Sequence, residues 1–169
     1  MNKIAHNKIE RFIQKYMNNV MVKARGRDFS IRHIDDSDIT NDYIKLLGQL
    51  TEIDNLDKTQ TFEFLRSLGK NHAIFVIEDY ETNKIVATGT ILIERKLIHN
   101  NGKVGHIEDI VVDEKCRGFG LGKIIIDHLS EFAKNAGCYK CILDCSSENM
   151  KFYEKCGYIK KGVQMGRYF

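Results

Sequence analysis

The chain has 169 residues, of which 43% are apolar and 29% charged, and it carries a net charge of +3. That is the profile of one soluble globular domain with its own core, and the charge is too small to point to nucleic acid or an anionic membrane as partner. No apolar stretch approaches the ~20 residues of a membrane span, and no signal-peptide pattern opens the chain.

Residues 1–28 are polar and basic, and are expected to form an N-terminal extension ahead of a domain over 29–169. The apolar spacing Ile9, Ile13, Tyr16, Val20 would suit a docked helix, while sparse arginine and the absence of serine before Ser30 argue against a mitochondrial targeting segment. "FSIRHI" (29–34) alternates as a strand. "DDSDITNDYIKLLGQLTEI" offers Asp and Ser as caps before an apolar stripe at Ile39, Tyr43, Leu46, Leu47 and Leu50. "TQTFEFLRSLG" reads as a short helix stopped by Gly69, "HAIFVIED" as a strand, and "IVATGTILIE" as a strand of β-branched residues after a polar turn.

"RKLIHNNGK" is a loop, and "VGHIEDIVVDE" is the next strand. A glycine-rich segment then opens a helix striped by Leu121, Ile125, Leu129, Phe132 and Ala136 and stopped by Gly137. "CYKCILDC" is a strand, "SSENMKFYEKCG" a capped helix, and "YIKKGVQMGRYF" a last strand. Five cysteines without a secretion signal favour reduced thiols and a cytoplasmic setting. The CxxC spacing of Cys138 and Cys141 lacks a second pair, so these thiols read as small core residues and not as a metal site. The predicted order is β-α-α-β-β-β-α-β-α-β, an α/β fold with a mixed sheet.

"CRGFGLGK" places three glycines between a strand and a helix. Backbone N–H groups at such a turn lack helical partners and meet the positive end of the helix dipole, a combination that suits phosphate. A P-loop is excluded, because Arg117 stands where its first glycine belongs and Ile124 where its magnesium-binding hydroxyl belongs. The dinucleotide fingerprint fails at Lys123.

What remains, Arg117-Gly118-Phe119-Gly120-Leu121-Gly122, resembles the diphosphate loop of the GNAT superfamily of N-acetyltransferases, which holds acetyl-coenzyme A. "GHIEDIVV", "GCYKCILDC" and "NMKFYEKCGY", with "LLGQLTE" and "ILIERKLIH" upstream, are similar in order and content to the glucosamine 6-phosphate N-acetyltransferase family. The resemblance implies the GNAT fold and direct attack of the sugar 2-amine on the acetyl thioester. It implies no covalent enzyme intermediate, no metal, and a homodimer whose site is completed by the partner.

By that resemblance Arg117, Gly118, Phe119, Gly120, Leu121, Gly122 and Lys123 surround the coenzyme diphosphate. Ile110, Val111 and Val112 offer backbone to the pantetheine arm, and Asn149 contacts the coenzyme. Glu108 and Asp109 contact the sugar amine and hydroxyls, and strand alternation sends them to opposite faces. Glu108, directly or through water, and Asp144 are the two candidates for receiving the amine proton or orienting the amine. Tyr153 matches the tyrosine that hydrogen-bonds the coenzyme sulfur and would favour the departing thiolate. The sugar phosphate falls to Thr51, the Lys96-Leu97-Ile98-His99 loop and a basic residue near the C-terminus. Arg167 is offset by one position from the family arginine, a shift that would turn its side chain to the other face of a regular strand. Two alternatives stay open: a GNAT enzyme for another amine, such as a polyamine or protein amine, and a non-catalytic acyl-CoA-binding domain. The basic "RKLIH" favours a phosphorylated acceptor over a polyamine.

Overall fold

The β-branched run at 84–95 and its apolar neighbour at 72–79 lie at the centre of a single sheet in a computed structural model, which describes residues 19–53 and 57–169. The strands follow chain order: β1 (Val20–Ala24), β2 (Arg27–His33), β3 (His72–Asp79), β4 (Lys84–Arg95), β5 (Lys103–Val112) and β6 (Cys138–Ile142). Neighbours pair antiparallel up to β5, whereas β5 and β6 are parallel and need the long crossover that α3 (Leu121–Asn135) supplies.

The stripe of α3 packs Leu121, Ile125, Ile126, Leu129 and Ala133 against one face of the sheet, over Phe75, Ile77, Ile91 and Ile107. The other face is covered at its β3–β4 end by α1 (Asn41–Leu47), with α2 (Lys58–Ser67) beside it. Tyr43 and Leu46 of α1 meet Ile74, Val76 and Val111 there. The expected apolar stripe holds at Tyr43, Leu46 and Leu47 and not at Leu50, and the cap is Thr40, whose side chain accepts from the Tyr43 amide. Asp35 instead caps a short 3-10 turn over Asp36–Asp38.

Two expectations change. Val20–Ala24 pairs with β2 from Val20↔Ile31 to Ala24↔Arg27, so the last part of the presumed extension is a sheet strand. Alternating Val20, Val22 and Ala24 was hidden there by basic residues, and the expected helical spacing through Ile9, Ile13 and Tyr16 lies outside the described residues. The predicted last strand does not form: residues 159–169 are exposed and pair with no strand. A strand needs a neighbour to satisfy its backbone and a surface to bury its apolar side, and this segment meets neither within one chain.

Candidate active site

Gly118 and Gly120 sit in the left-handed region at φ 89° and 83°, which costs a residue with a Cβ about 1–2 kcal/mol. Gly120 is the N-cap of α3, and no side chain caps that end. The first bond into the helix runs from the Ile124 amide to the Gly120 carbonyl, so among the described residues the amides of Leu121, Gly122 and Lys123 have no hydrogen-bond partner at the positive end of the dipole. Among the described residues nothing stands within 4 Å of the space above Gly120, and only Arg25 borders that above Gly118, at 3.8 Å. An open, uncapped helix mouth of this kind fits a phosphate group.

Gly122 serves a different purpose. A Cβ there would stand 3.1 Å from Phe152 Cζ, so bare backbone lets α4 (Met150–Lys155) pack on α3. Arg117 is exposed beside the turn. Lys123 Nζ is 2.7 Å from Asp127 Oδ2, an exposed pair weak enough to yield to a stronger anion.

Beside the parting ends of β5 and β6 lies a cleft of about 360 Å³, lined by Thr51, Glu108, Asp109, Asp144, Asn149 and Tyr153 among others. Strand alternation would have separated Glu108 from Asp109, yet both face this one space. Between the pairs Thr88↔Val111 and Thr90↔Glu108, two β5 residues oppose Gly89 alone. This is a β-bulge, with Asp109 turned to φ 52°. Gly89 makes room for it: a Cβ would stand 2.4 Å from Ile110 Cδ1 and 2.9 Å from Leu129 Cδ1. β6 pairs with β5 no further than His106↔Ile142, so the 107–112 stretch has a ladder to β4 and an open side.

Burial pushes the Glu108 carboxyl up, and the charges of Asp144 and Asp109 push it further, with His106 opposing. Burial likewise raises the Tyr153 phenol, with smaller contributions from Cys145 and Cys156. Asn149 is the N-cap of α4, and its carbonyl accepts from the Tyr153 amide at 3.2 Å. Asp144 accepts from Gln164 Nε2 at 2.9 Å. The cleft therefore holds a carboxyl that keeps its proton more readily than an ordinary glutamate and a phenol held further from ionisation, groups of the kinds that proton transfer uses.

The Acetyltransferase (GNAT) family model matches residues 38–158. Glucosamine 6-phosphate N-acetyltransferase of Arabidopsis thaliana is 49% identical over 144 residues, covering 83% of this chain and 97% of the relative. The Dictyostelium discoideum glucosamine 6-phosphate N-acetyltransferase 1 is 46% identical over 142 residues, covering 82% and 90%. The crystal structure of the Arabidopsis enzyme superposes with a TM-score of 0.78 over 83% of this chain and 98% of that one. The chain belongs to the glucosamine 6-phosphate N-acetyltransferase family.

Not every residue expected of that family lies at the cleft. Lys96 to His99 and Arg167 do not line it in the single chain. Lys96 is paired with Glu94, whose other oxygen is 2.8 Å from His106 Nε2. His99 is left-handed at φ 54°, and its ring lies 4.5 Å from that of Tyr139. Leu97 and Ile98 are exposed, and Arg167 lies in the tail over the Phe169 ring. Four neighbours were missed: Ile107, which lines the cleft from β5, and Leu50, Cys145 and Arg25. Leu50 had been assigned to a helix stripe, but α1 ends at Leu47 and frees it to line the cleft. Cys145, at the end of the expected strand "CYKCILDC", carries no expected site role, and it is exposed and borders the cleft. Arg25 had been placed in the extension. Among the described residues no group of three or more His, Cys, Asp or Glu could hold a metal, and no helix is long and apolar enough to cross a membrane.

Proposed function

We infer that this chain transfers an acetyl group from acetyl-CoA to the 2-amine of glucosamine 6-phosphate, giving N-acetylglucosamine 6-phosphate. The observation that carries the reading is the convergence of Glu108, Asp144 and Tyr153 on one cleft beside an uncapped glycine turn, in a chain of this family. Acetyl-CoA supplies an activated thioester. The chain's part is to hold the amine in line with it, take the amine proton and protect the departing sulfur.

Glu108, raised by burial and by its acidic neighbours, takes the proton directly or through water. Asp144 orients the amine and keeps Glu108 basic. Asp109, swung into the cleft by the bulge, is a partner for sugar hydroxyls. Tyr153 donates its phenolic hydrogen toward the leaving sulfur. Arg117, Lys123 and the amides from Gly118 to Gly122 hold the diphosphate. Ile110, Val111 and Val112 lie on the stretch whose open side can accept the pantetheine amides as a strand would.

The sugar phosphate belongs to Thr51, Lys96 and His99, and the same reading includes a second copy of the chain. Its support is apolar surface that one chain leaves bare: Ile159, Val163 and Met165 in the tail, and Leu92 and Ile142 on the open sheet face. The five free thiols suit a reducing cytoplasmic setting. The assay is release of the CoA thiol with glucosamine 6-phosphate, glucosamine and spermidine in parallel. The phosphorylated sugar should give the highest kcat/KM, and a preference for either unphosphorylated amine would overturn the assignment.

A further inference from the structure

The β1–β2 hairpin closes through Arg25 and Gly26, both at positive φ, 50° and 83°. Two left-handed central residues define the tight turn that Asn-Gly or Gly-Gly usually fills. Arginine is a poor conformational choice for the first position. Its guanidinium nevertheless reaches across to the glycine turn, where Nη1 is the nearest group to the open side of Gly118, 3.8 Å from where a Cβ would stand.

The hairpin is held against that turn by other contacts. The Phe119 ring meets Phe29 edge-on at 5.9 Å and lies 5.8 Å from the Arg27 guanidinium. Arg27 is fixed in turn by two hydrogen bonds to the fully buried carboxylate of Asp79. The place of Arg25 beside the open amides is thus built into the sheet and does not depend on a loose side chain alone.

Resting on the acetyl-CoA reading above, we propose that Arg25 is a further ligand of the coenzyme diphosphate, delivered to the glycine turn by the β1–β2 hairpin. The guanidinium adds a charge-assisted bond to those of the turn's amides. A strained arginine at a position that glycine would occupy without strain is accounted for by a contact that only a long cation can make.

Calorimetric titration of wild type and Arg25→Gly with CoA, and with dephospho-CoA, tests this. The second ligand lacks the 3′-phosphate and keeps the diphosphate. The Kd should rise about ten- to a hundredfold for both ligands, the loss of one charge-assisted bond. The Tm of the unliganded protein should hold or rise, since glycine adopts the turn freely. Affinity within about twofold of wild type would overturn the proposal, because one lost charge-assisted bond costs more than that. So would a loss confined to CoA, which would move the contact to the 3′-phosphate. If Arg25→Gly lowers the Tm, Arg25→Asn, which also tolerates positive φ, must show the same weakened binding at wild-type Tm; retained affinity overturns the proposal. A wild-type chain that binds neither ligand would instead overturn the acetyl-CoA reading itself, and this inference with it.

Discussion

Burial raises both Glu108 and Tyr153, and the consequences for the two groups are opposite. A carboxyl whose pKa is raised becomes a better proton acceptor, whereas a phenol raised further remains a donor. The acid limb of kcat/KM should therefore lie above the ordinary glutamate range. Asp144 contributes to that elevation by repulsion, so Asp144→Asn should let Glu108 ionise at lower pH and move the acid limb down. A pH–rate profile checks this, and a limb that stays in place or moves up would remove Glu108 as the base. Tyr153→Phe should lower kcat by about 100-fold, the order expected for losing one positioned proton donor, with little change in the KM for acetyl-CoA. Steady-state rates at saturating sugar read both quantities. Residue types at these positions were legible from the sequence. The shared placement of Glu108 and Asp109 was not, because alternation assumes a regular strand and the bulge opposite Gly89 breaks it.

The bulge belongs to the scale of elements, where one missing side chain decides whether β4 and β5 can part in register. Gly89→Ala would press a methyl into Ile110 and Leu129 on the core face. It should destabilise by about 1–3 kcal/mol, the cost of overpacking a full core, and lower the Tm in thermal unfolding; an unchanged Tm would show that the bulge has slack. The strands β3, β4 and β5 and the helix α3 were legible because their periodicity coincides with their burial. β1 was not, because three of its five residues are exposed and only Ala24 is buried, and its turn carries arginine where Asn or Gly would signal a hairpin. The pattern of the α3 turn suggests one phosphate cradle made by all three glycines, and two of them, Gly118 and Gly120, have the left-handed backbone of an open turn. That the third instead spaces α3 from α4 depends on Phe152, a contact no local pattern contains.

At the scale of the whole molecule, the single chain leaves the account with a bare tail and an open sheet face. The tail touches the cleft through Gln164 and Asp144 and otherwise presents apolar side chains to solvent. Its strand-like pattern was legible in the sequence, but no element among the described residues offers it a strand to pair with. A chain ending at Tyr158 should keep its unfolding transition, because none of the removed residues is buried. It should sediment as a monomer and lose turnover of glucosamine 6-phosphate, and an active truncated dimer would exclude the tail from the site.

On the proposed function, the glycine turn and the acceptor cleft are the two ends of one site. A crystal structure with CoA and N-acetylglucosamine 6-phosphate tests it most directly. The diphosphate should lie against the amides of Gly118 to Gly122, the sulfur beside Tyr153, and the sugar nitrogen within hydrogen-bonding reach of Glu108 or Asp144. A diphosphate bound away from that turn, or a sugar nitrogen remote from both carboxylates, would contradict it.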